Sequence, residues 1–164
     1  MRPITKQKIT SLFLISITFF ILSCSKNTIT TTESLNPDGK LLQIQIDDNS
    51  DIETHKSFYQ SGKLEYEAEI RDGKPDGISK YWDIEGNLVN ISHYENGKLH
   101  GASIQYFKNG ETSSKAEFFY GEIHGVSETY HKNGKIKTHQ IFKYGDSVSK
   151  LLRFDENGKR IYQP

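Results

Sequence analysis

Residues 94–111 read YENGKLHGASIQYFKNGE, and residues 119–135 read FYGEIHGVSETYHKNGK. The second segment repeats the first in a fixed register, so that Gly97 recurs as Gly121, Gly101 as Gly125 and Gly110 as Gly134. A fixed period of this kind, here a 24-residue repeat, is the sequence signature of a repeat architecture. How far the period extends on either side therefore decides the fold.

Glycines carry the period along most of the chain. One glycine series recurs at this period without a slip, and a second series with the same spacing lies between its members. Several of these glycines follow asparagine, and tight hairpin turns need the positive φ that both residue types accept at low cost. We predict structural turn glycines at Gly62, Gly73, Gly86, Gly97, Gly110, Gly121, Gly134, Gly145 and Gly158.

Between the turns lie short segments in which apolar and polar residues alternate. Residues 63–70, KLEYEAEI, place four apolar side chains on one face and three glutamates on the other. A period of two indicates a strand, and the bracketing turn residues leave little room for a helix. We predict an all-β fold, an elongated and twisted antiparallel meander of repeated β-hairpins. It should be largely single-layer, with about ten strands stabilised between neighbouring repeats.

The two quoted segments resemble MORN repeats, and more closely the variant repeat of antitoxin-like proteins in bacterial toxin–antitoxin loci. The resemblance rests on an aromatic residue, then Asn-Gly-Lys, then a glycine four residues later, as in Tyr94, Asn96-Gly97-Lys98 and Gly101. It covers roughly residues 55–160. It implies a hairpin-repeat scaffold that binds a protein partner, and in toxin loci the partner is a toxin to be neutralised.

Residues 1–23 have the organisation of a secretion signal. Three basic residues precede the apolar stretch SLFLISITFFIL at 11–22, which is too short to cross a bilayer as a helix. Ser23 and Cys24 follow at once and resemble the lipobox of bacterial lipoproteins, in which the signal peptidase cuts before a cysteine that carries lipid. We predict a cleaved signal over 1–23 and lipid attachment at Cys24. An ordinary signal with an incidental cysteine is the alternative.

The composition after the signal predicts the rest of the domain organisation. Residues 24–40 hold Cys24 and a Ser-, Thr- and Asn-rich stretch without apolar periodicity, which favours a flexible tether. The hairpin-repeat domain is expected over 41–164. Without residues 1–23 the chain has 18 basic and 21 acidic residues, which argues against a nucleic-acid partner. We expect a membrane-anchored lipoprotein of the bacterial cell envelope that faces the periplasm.

The sequence contains no motif that indicates catalysis. It has no phosphate-binding loop, no nucleophile elbow, no zinc-protease motif and no EF-hand loop. His100 and His124 lie one repeat apart, but Asp76 and Val148 fill the same position in other repeats. The six histidines match no zinc spacing. We therefore expect a protein that is not an enzyme, with no catalytic residue, metal or cofactor.

One aromatic series is a candidate for partner binding, and we call it the aromatic stripe. A single-layer sheet cannot bury its rings fully, and a row of exposed aromatic rings favours contact with a partner. In the competing interpretation these rings pack on neighbouring strands as a thin core, and the two interpretations are compatible. The members recur with the period of the glycines and are Phe58, Trp82, Tyr106, Tyr130 and Phe154.

These observations lead to two hypotheses about function. The leading hypothesis is a lipid-anchored envelope scaffold that binds a protein partner, either a toxin or an envelope protein. The alternative is a structural or glycan-contacting envelope lipoprotein with no toxin partner.

Overall fold

The structure is a computed structural model and describes residues 29–36, 39–47 and 50–162. The predicted signal peptide, Cys24 and the first part of the predicted tether lie outside the described residues. The described chain is all-β and forms one open antiparallel sheet in meander order, which confirms the predicted fold class. Across these described ranges there is no helix, and so none with the length and apolar character needed to cross a membrane.

The described residues form thirteen strands, against about ten expected from the sequence. They are β1 (Ile29–Leu35), β2 (Leu41–Asp47), β3 (Glu53–Phe58), β4 (Leu64–Arg71), β5 (Lys74–Trp82), β6 (Leu88–Glu95), β7 (Lys98–Tyr106), β8 (Thr112–Phe119), β9 (Glu122–Tyr130), β10 (Ile136–Lys143), β11 (Asp146–Ser147), β12 (Leu152–Phe154) and β13 (Arg160–Ile161). Each strand pairs with the next in sequence, except that β11 pairs with β10 alone and β12 pairs with β10 and β13.

Two kinds of turn alternate along the sheet. In the long turns, such as residues 83–87, the first N–H donates to the fifth carbonyl, and the glycine N–H donates back to the first carbonyl, both at 2.9 Å. The short turns hold two residues with positive φ, such as Asn96 and Gly97 with φ of 50° and 81°. All nine turn glycines named from the sequence have positive φ.

The short turns also join one repeat to the next. The N–H of Gly97 donates to the carbonyl of Pro75 at 2.7 Å, across a hairpin boundary. Gly121 donates to Leu99 and Gly145 to Ile123 in the same way. A backbone amide that a hairpin turn would otherwise leave to solvent is thereby used to hold adjacent hairpins in register.

A line of small side chains crosses the middle of one sheet face. Ala68 is fully buried, and Ser79 and Ser92 each expose 4% of their surface. Among the described residues Ala68 and Ile70 alone are buried apolar side chains, and no large side chain there is fully buried. The core is therefore a thin layer. Cross-strand pairing places in one row Ala68, Ser79, Ser92, Ser103, Ala116 and Ser127.

The sheet begins earlier than the sequence predicts. Residues 29–35 fall within the predicted tether, 24–40, but they form β1 and pair with β2 over seven consecutive residues. This corrects the tether for those residues and moves the start of the sheet before Leu41. The physical reason is that three successive threonines give this stretch a polar composition, while their β-branched side chains favour a strand.

The turn between β1 and β2 shows that the first hairpin belongs to the repeat. The N–H of Asn36 donates to the carbonyl of Lys40, and the N–H of Gly39 donates to the carbonyl of Asn36, each at 2.9 Å. This is the bonding pattern of the long turns. The sequence hides the relation because the glycine series, continued back from Gly62, falls on Asp38 and misses Gly39 by one position.

Candidate partner-binding site

The aromatic stripe is only half exposed. Register shifts lie beside Phe58, Trp82, Tyr106 and Tyr130, so these rings leave the simple alternation of their strands. All five members of the stripe are half-buried. The hydroxyl of Tyr130 donates a hydrogen bond to Oε2 of Glu128 at 2.5 Å. Packing on neighbouring strands therefore accounts for much of the stripe, and its use as a binding face stays a prediction.

Two grooves next to long turns touch the stripe. One has a volume of about 360 Å³ and is lined in part by Leu88, Tyr106 and Gly110. The other has a volume of about 350 Å³, and Phe154 and Ile161 contribute to its wall. Both volumes lie near the lower end of the range for ligand pockets, about 300–1,000 Å³. The grooves leave room for single side chains of a partner.

A different group of rings is more exposed, and the sequence analysis did not find it. Phe119, Tyr120 and Tyr144 expose 40%, 43% and 53% of their surface. The half-buried His100 and His124 lie against them. We call these five residues the aromatic–imidazole cluster. They come from the start of β7, from the β8–β9 hairpin and from the turn after β10, at one edge of three successive hairpins.

The rings of the cluster are in mutual contact. Phe119 lies at its centre, with ring centroids 4.8 Å from Tyr120, 5.1 Å from His100, 5.8 Å from His124 and 5.8 Å from Tyr144. The Tyr120 and Tyr144 contacts to Phe119 are edge-to-face, the arrangement that the charge distribution of aromatic rings favours. The cluster is thus a continuous apolar surface, with its two tyrosines at the rim.

Both tyrosines occupy a backbone conformation that suits them poorly. Tyr120 and Tyr144 have φ of 48° and 50° at the first position of a short turn. The equivalent position holds Asp72 and Asn96 in the two preceding short turns. Asp and Asn tolerate this left-handed region, whereas a bulky residue there costs on the order of 1–3 kcal/mol. The chain sustains this strain at the two turns that present rings to solvent.

Glu95 at the end of β6 adds a negative charge to the cluster. Its Oε1 accepts a hydrogen bond from the hydroxyl of Tyr120 at 3.0 Å, and its Oε2 lies 3.2 Å from Nδ1 of His100. The hydrogen bond to Glu95, followed by the negative charge of that carboxylate, raises the pKa of Tyr120. Nδ1 of His100 makes no hydrogen bond of good geometry, although it is buried. This end of the cluster therefore combines apolar rings with one carboxylate.

A separate polar network lies on β9 and β10. The carboxylate of Glu128 accepts hydrogen bonds from the hydroxyl of Tyr130 and from Nδ1 of His139, the latter at 2.8 Å. Burial opposes the charged form of Glu128, but these hydrogen bonds and the positive charge of Lys115 lower its pKa overall. Burial, then the hydrogen bond to Glu128, raises the pKa of Tyr130 to about 12. The network braces one ring of the aromatic stripe.

The other predicted sites give a mixed picture. In the part of the chain that the structure describes, no three His, Cys, Asp or Glu side chains converge as metal ligands would. Cys24 lies outside the described residues, so lipid attachment there stays a prediction. The sequence does carry a signal for the cluster. The position that is Asp72 and Asn96 in two repeats becomes Tyr120 and Tyr144 in the next two. The 24-residue period identifies residues that recur, and these two tyrosines are substitutions within the period.

Comparison with known families supports the repeat. The family model for the MORN repeat variant matches residues 54–72 and 123–144. The first match covers the β3–β4 hairpin and the second covers β9 and β10. The two matches end at residues 72 and 144, which are three 24-residue repeats apart. The match supports the predicted MORN-type repeat at these two segments and is consistent with a repeat scaffold. A search of curated proteins finds no match.

Proposed function

We propose that this protein is a lipid-anchored scaffold of the bacterial cell envelope, and that it binds a protein partner through the aromatic–imidazole cluster. The observation that carries the proposal is the pair of strained, exposed tyrosines, Tyr120 and Tyr144. Backbone strain concentrates at functional sites, because a residue that tolerates the conformation better would occupy the position if its side chain had no function. The scaffold has no catalytic role in this proposal.

The composition of the cluster favours a protein partner. Tyrosine and phenylalanine supply large contact area with few rotatable bonds, and they are enriched at protein interfaces. The phenol of Tyr120 and the carboxylate of Glu95 add polar groups at the margin of the apolar rings. The resemblance to antitoxin-like repeats suggests a toxin that reaches the envelope as one such partner. Anchoring rests on the signal-like residues 1–23 and on Cys24.

The test places a photoreactive amino acid at Tyr144 in cells that express the full chain. The matched control carries the same group at Tyr162, which is 77% exposed and follows β13, two strands beyond β10 in the sheet. We expect an adduct of defined mass at Tyr144 in which mass spectrometry finds peptides of a second protein, and no such adduct at Tyr162. Equal labelling at both positions contradicts the proposal.

The glycan-contacting alternative predicts a different result. In that case the purified protein co-sediments with peptidoglycan, and Tyr144→Ser reduces the retained fraction while Tyr162→Ser does not. The Tyr144 adduct would then contain no peptides of a second protein, and an enzyme that cleaves peptidoglycan would reduce its mass.

A further inference from the structure

The sheet has two ends, and they differ in how well they resist pairing with another strand. The C-terminal end is β13, which has two residues, Arg160 and Ile161. Natural proteins blunt sheet edges with short, charged strands of this kind. The N-terminal end is β1, which has seven residues and pairs with β2 without a register shift. It lacks proline and bulges, and no other strand of the described residues pairs with its outer side, which offers a row of backbone donors and acceptors.

The single charged residue of β1 does not prevent another strand from pairing with this edge. Oε1 of Glu33 accepts a hydrogen bond from Nε2 of Gln43 on β2 at 2.7 Å, so the carboxylate is engaged within the sheet. The exposed residues of β1 are uncharged. Ile29 and Leu35 expose 58% and 70% of their surface, and Thr32 midway between them is also exposed. An apolar residue at each end of a long open edge is costly to leave in water.

We propose that β1 pairs in antiparallel fashion with β1 of a second copy of this chain, about a two-fold axis that passes between the two Thr32 residues. In this register Ile29 of each copy lies opposite Leu35 of the other, and Thr32 lies opposite Thr32. The three exposed residues of β1 thus meet one another. The remaining pairs join Thr30 with Ser34 and Thr31 with Glu33, so that no like charges oppose each other.

Neighbouring registers lack this complementarity. An axis through Glu33 places two carboxylates directly opposite, which is destabilising. An axis through Thr31 places Ile29 opposite Glu33 and so removes the contact between Ile29 and Leu35. The two-fold arrangement also closes on itself, so it yields a dimer and not a filament. It involves none of the residues of the aromatic–imidazole cluster and does not depend on the function proposed above.

Disulfide trapping in membranes from cells that make the full chain tests the register. Thr32→Cys places the cysteines of the two copies opposite each other, with their Cα atoms about 4.5–5.5 Å apart. A disulfide can bridge this separation. Thr30→Cys is the matched control, because its two copies lie about 13 Å apart along the strands. We expect a covalent dimer with Thr32→Cys and at least about 10-fold less with Thr30→Cys. The parent chain under the same oxidation measures any contribution from Cys24.

Co-expression supplies the reciprocal measurement. Chains with Thr30→Cys and chains with Ser34→Cys should cross-link to each other when both are present, because those residues face each other in the proposed register. Equal cross-linking of Thr32→Cys and Thr30→Cys, absence of a dimer in both, or an adduct of Thr32→Cys with another protein overturns the proposal. Protease resistance of each variant confirms that its sheet has folded.

Discussion

At the scale of single residues, the short turns show what this chain tolerates and where. Asn96 and Gly97 suit a turn with two positive φ angles, and the chain uses this pair at one short turn. Two later turns have tyrosine at the first position, where asparagine would fit with less strain. The tyrosines make edge-to-face contacts with Phe119, but half or more of Tyr144 remains in water. Folding alone does not explain their presence.

Replacing Tyr144 with asparagine should therefore raise the stability of the fold. We expect Tyr144→Asn to increase the free energy of unfolding by up to about 1 kcal/mol, because asparagine tolerates the left-handed conformation. Urea denaturation followed by tryptophan fluorescence measures the change. Tyr144→Ala is the control, because it removes the ring but keeps the strain. A loss of more than about 1 kcal/mol in both variants means that the ring contacts outweigh the strain.

Tyr130 should make stability depend on alkaline pH. Its pKa is raised to about 12 in the folded state, so its contribution is complete below the ordinary tyrosine pKa near 10. The contribution is lost as the pH rises from there through the folded-state value, because the unfolded chain ionises first. We expect the stability difference between the parent chain and Tyr130→Phe to shrink between pH 8 and pH 11. A constant difference across this range shows that Tyr130 titrates alike in both states.

At the scale of elements, three of the four described hairpins that have a short turn carry a second glycine next to a register shift, and Ser149 fills that position in the fourth. At Gly77, with φ of 119°, a Cβ would overlap the carboxylate of Glu69, whose Oε2 accepts a hydrogen bond from the N–H of Ile78 at 2.8 Å. At Gly101, with φ of 90°, the nearest atom would be Cβ of His93 at 3.6 Å, an ordinary contact. The same slot is thus crowded in one repeat and open in the next.

Alanine at these two positions should therefore have unequal effects. Both variants carry backbone strain, but Gly77→Ala must also displace Glu69 and lose its hydrogen bond to the backbone. We expect Gly77→Ala to cost about 1 kcal/mol more than Gly101→Ala. Thermal denaturation of the two variants in parallel provides the comparison. Equal costs indicate that Glu69 moves aside freely, and Glu69→Ala in the Gly77→Ala background tests that explanation.

The elements also show how far the sequence predicts this fold. The regular hairpins follow from glycine spacing and alternation, because a turn that needs positive φ leaves a visible mark. The first hairpin is not predicted from the sequence because Gly39 is one residue out of period and strand β1 is polar. The aromatic–imidazole cluster is not predicted from the sequence for a different reason. It depends on two residues that break the repeat, and on ring contacts between hairpins that periodicity does not encode.

At the scale of the whole molecule, the open sheet makes position relative to the membrane important. The described sheet begins at Ile29, five residues after Cys24. If Cys24 carries lipid, the first strand lies close to the membrane and little slack separates them. The hairpin that bears Phe119 and Tyr120 lies several strands farther along the meander. A single layer thus extends from the predicted anchor toward the candidate binding site.

Loss of the anchor should separate membrane attachment from folding. We expect Cys24→Ser to abolish labelling by a fatty-acid analogue and to leave the protein unprocessed or released from membranes. The hairpin repeats should fold as before, because Cys24 lies outside the sheet that the structure describes. Ser25→Ala serves as the control and should be labelled normally. Labelled Cys24→Ser protein contradicts lipid attachment at this residue.

The bonds from three of the short-turn glycines to the preceding hairpin set a constant spacing between repeat units along the sheet. Gly97, Gly121 and Gly145 make the same contact one hairpin apart, so each repeat unit ends as the previous one does. Excising residues 98–121 joins Gly97 to Glu122, keeps the short turn, and places β9 next to β6 in the position that β7 held. The sheet loses two strands and shortens by about 9–10 Å. The length of the sheet can therefore change in steps of one repeat while the remaining hairpins keep their structure.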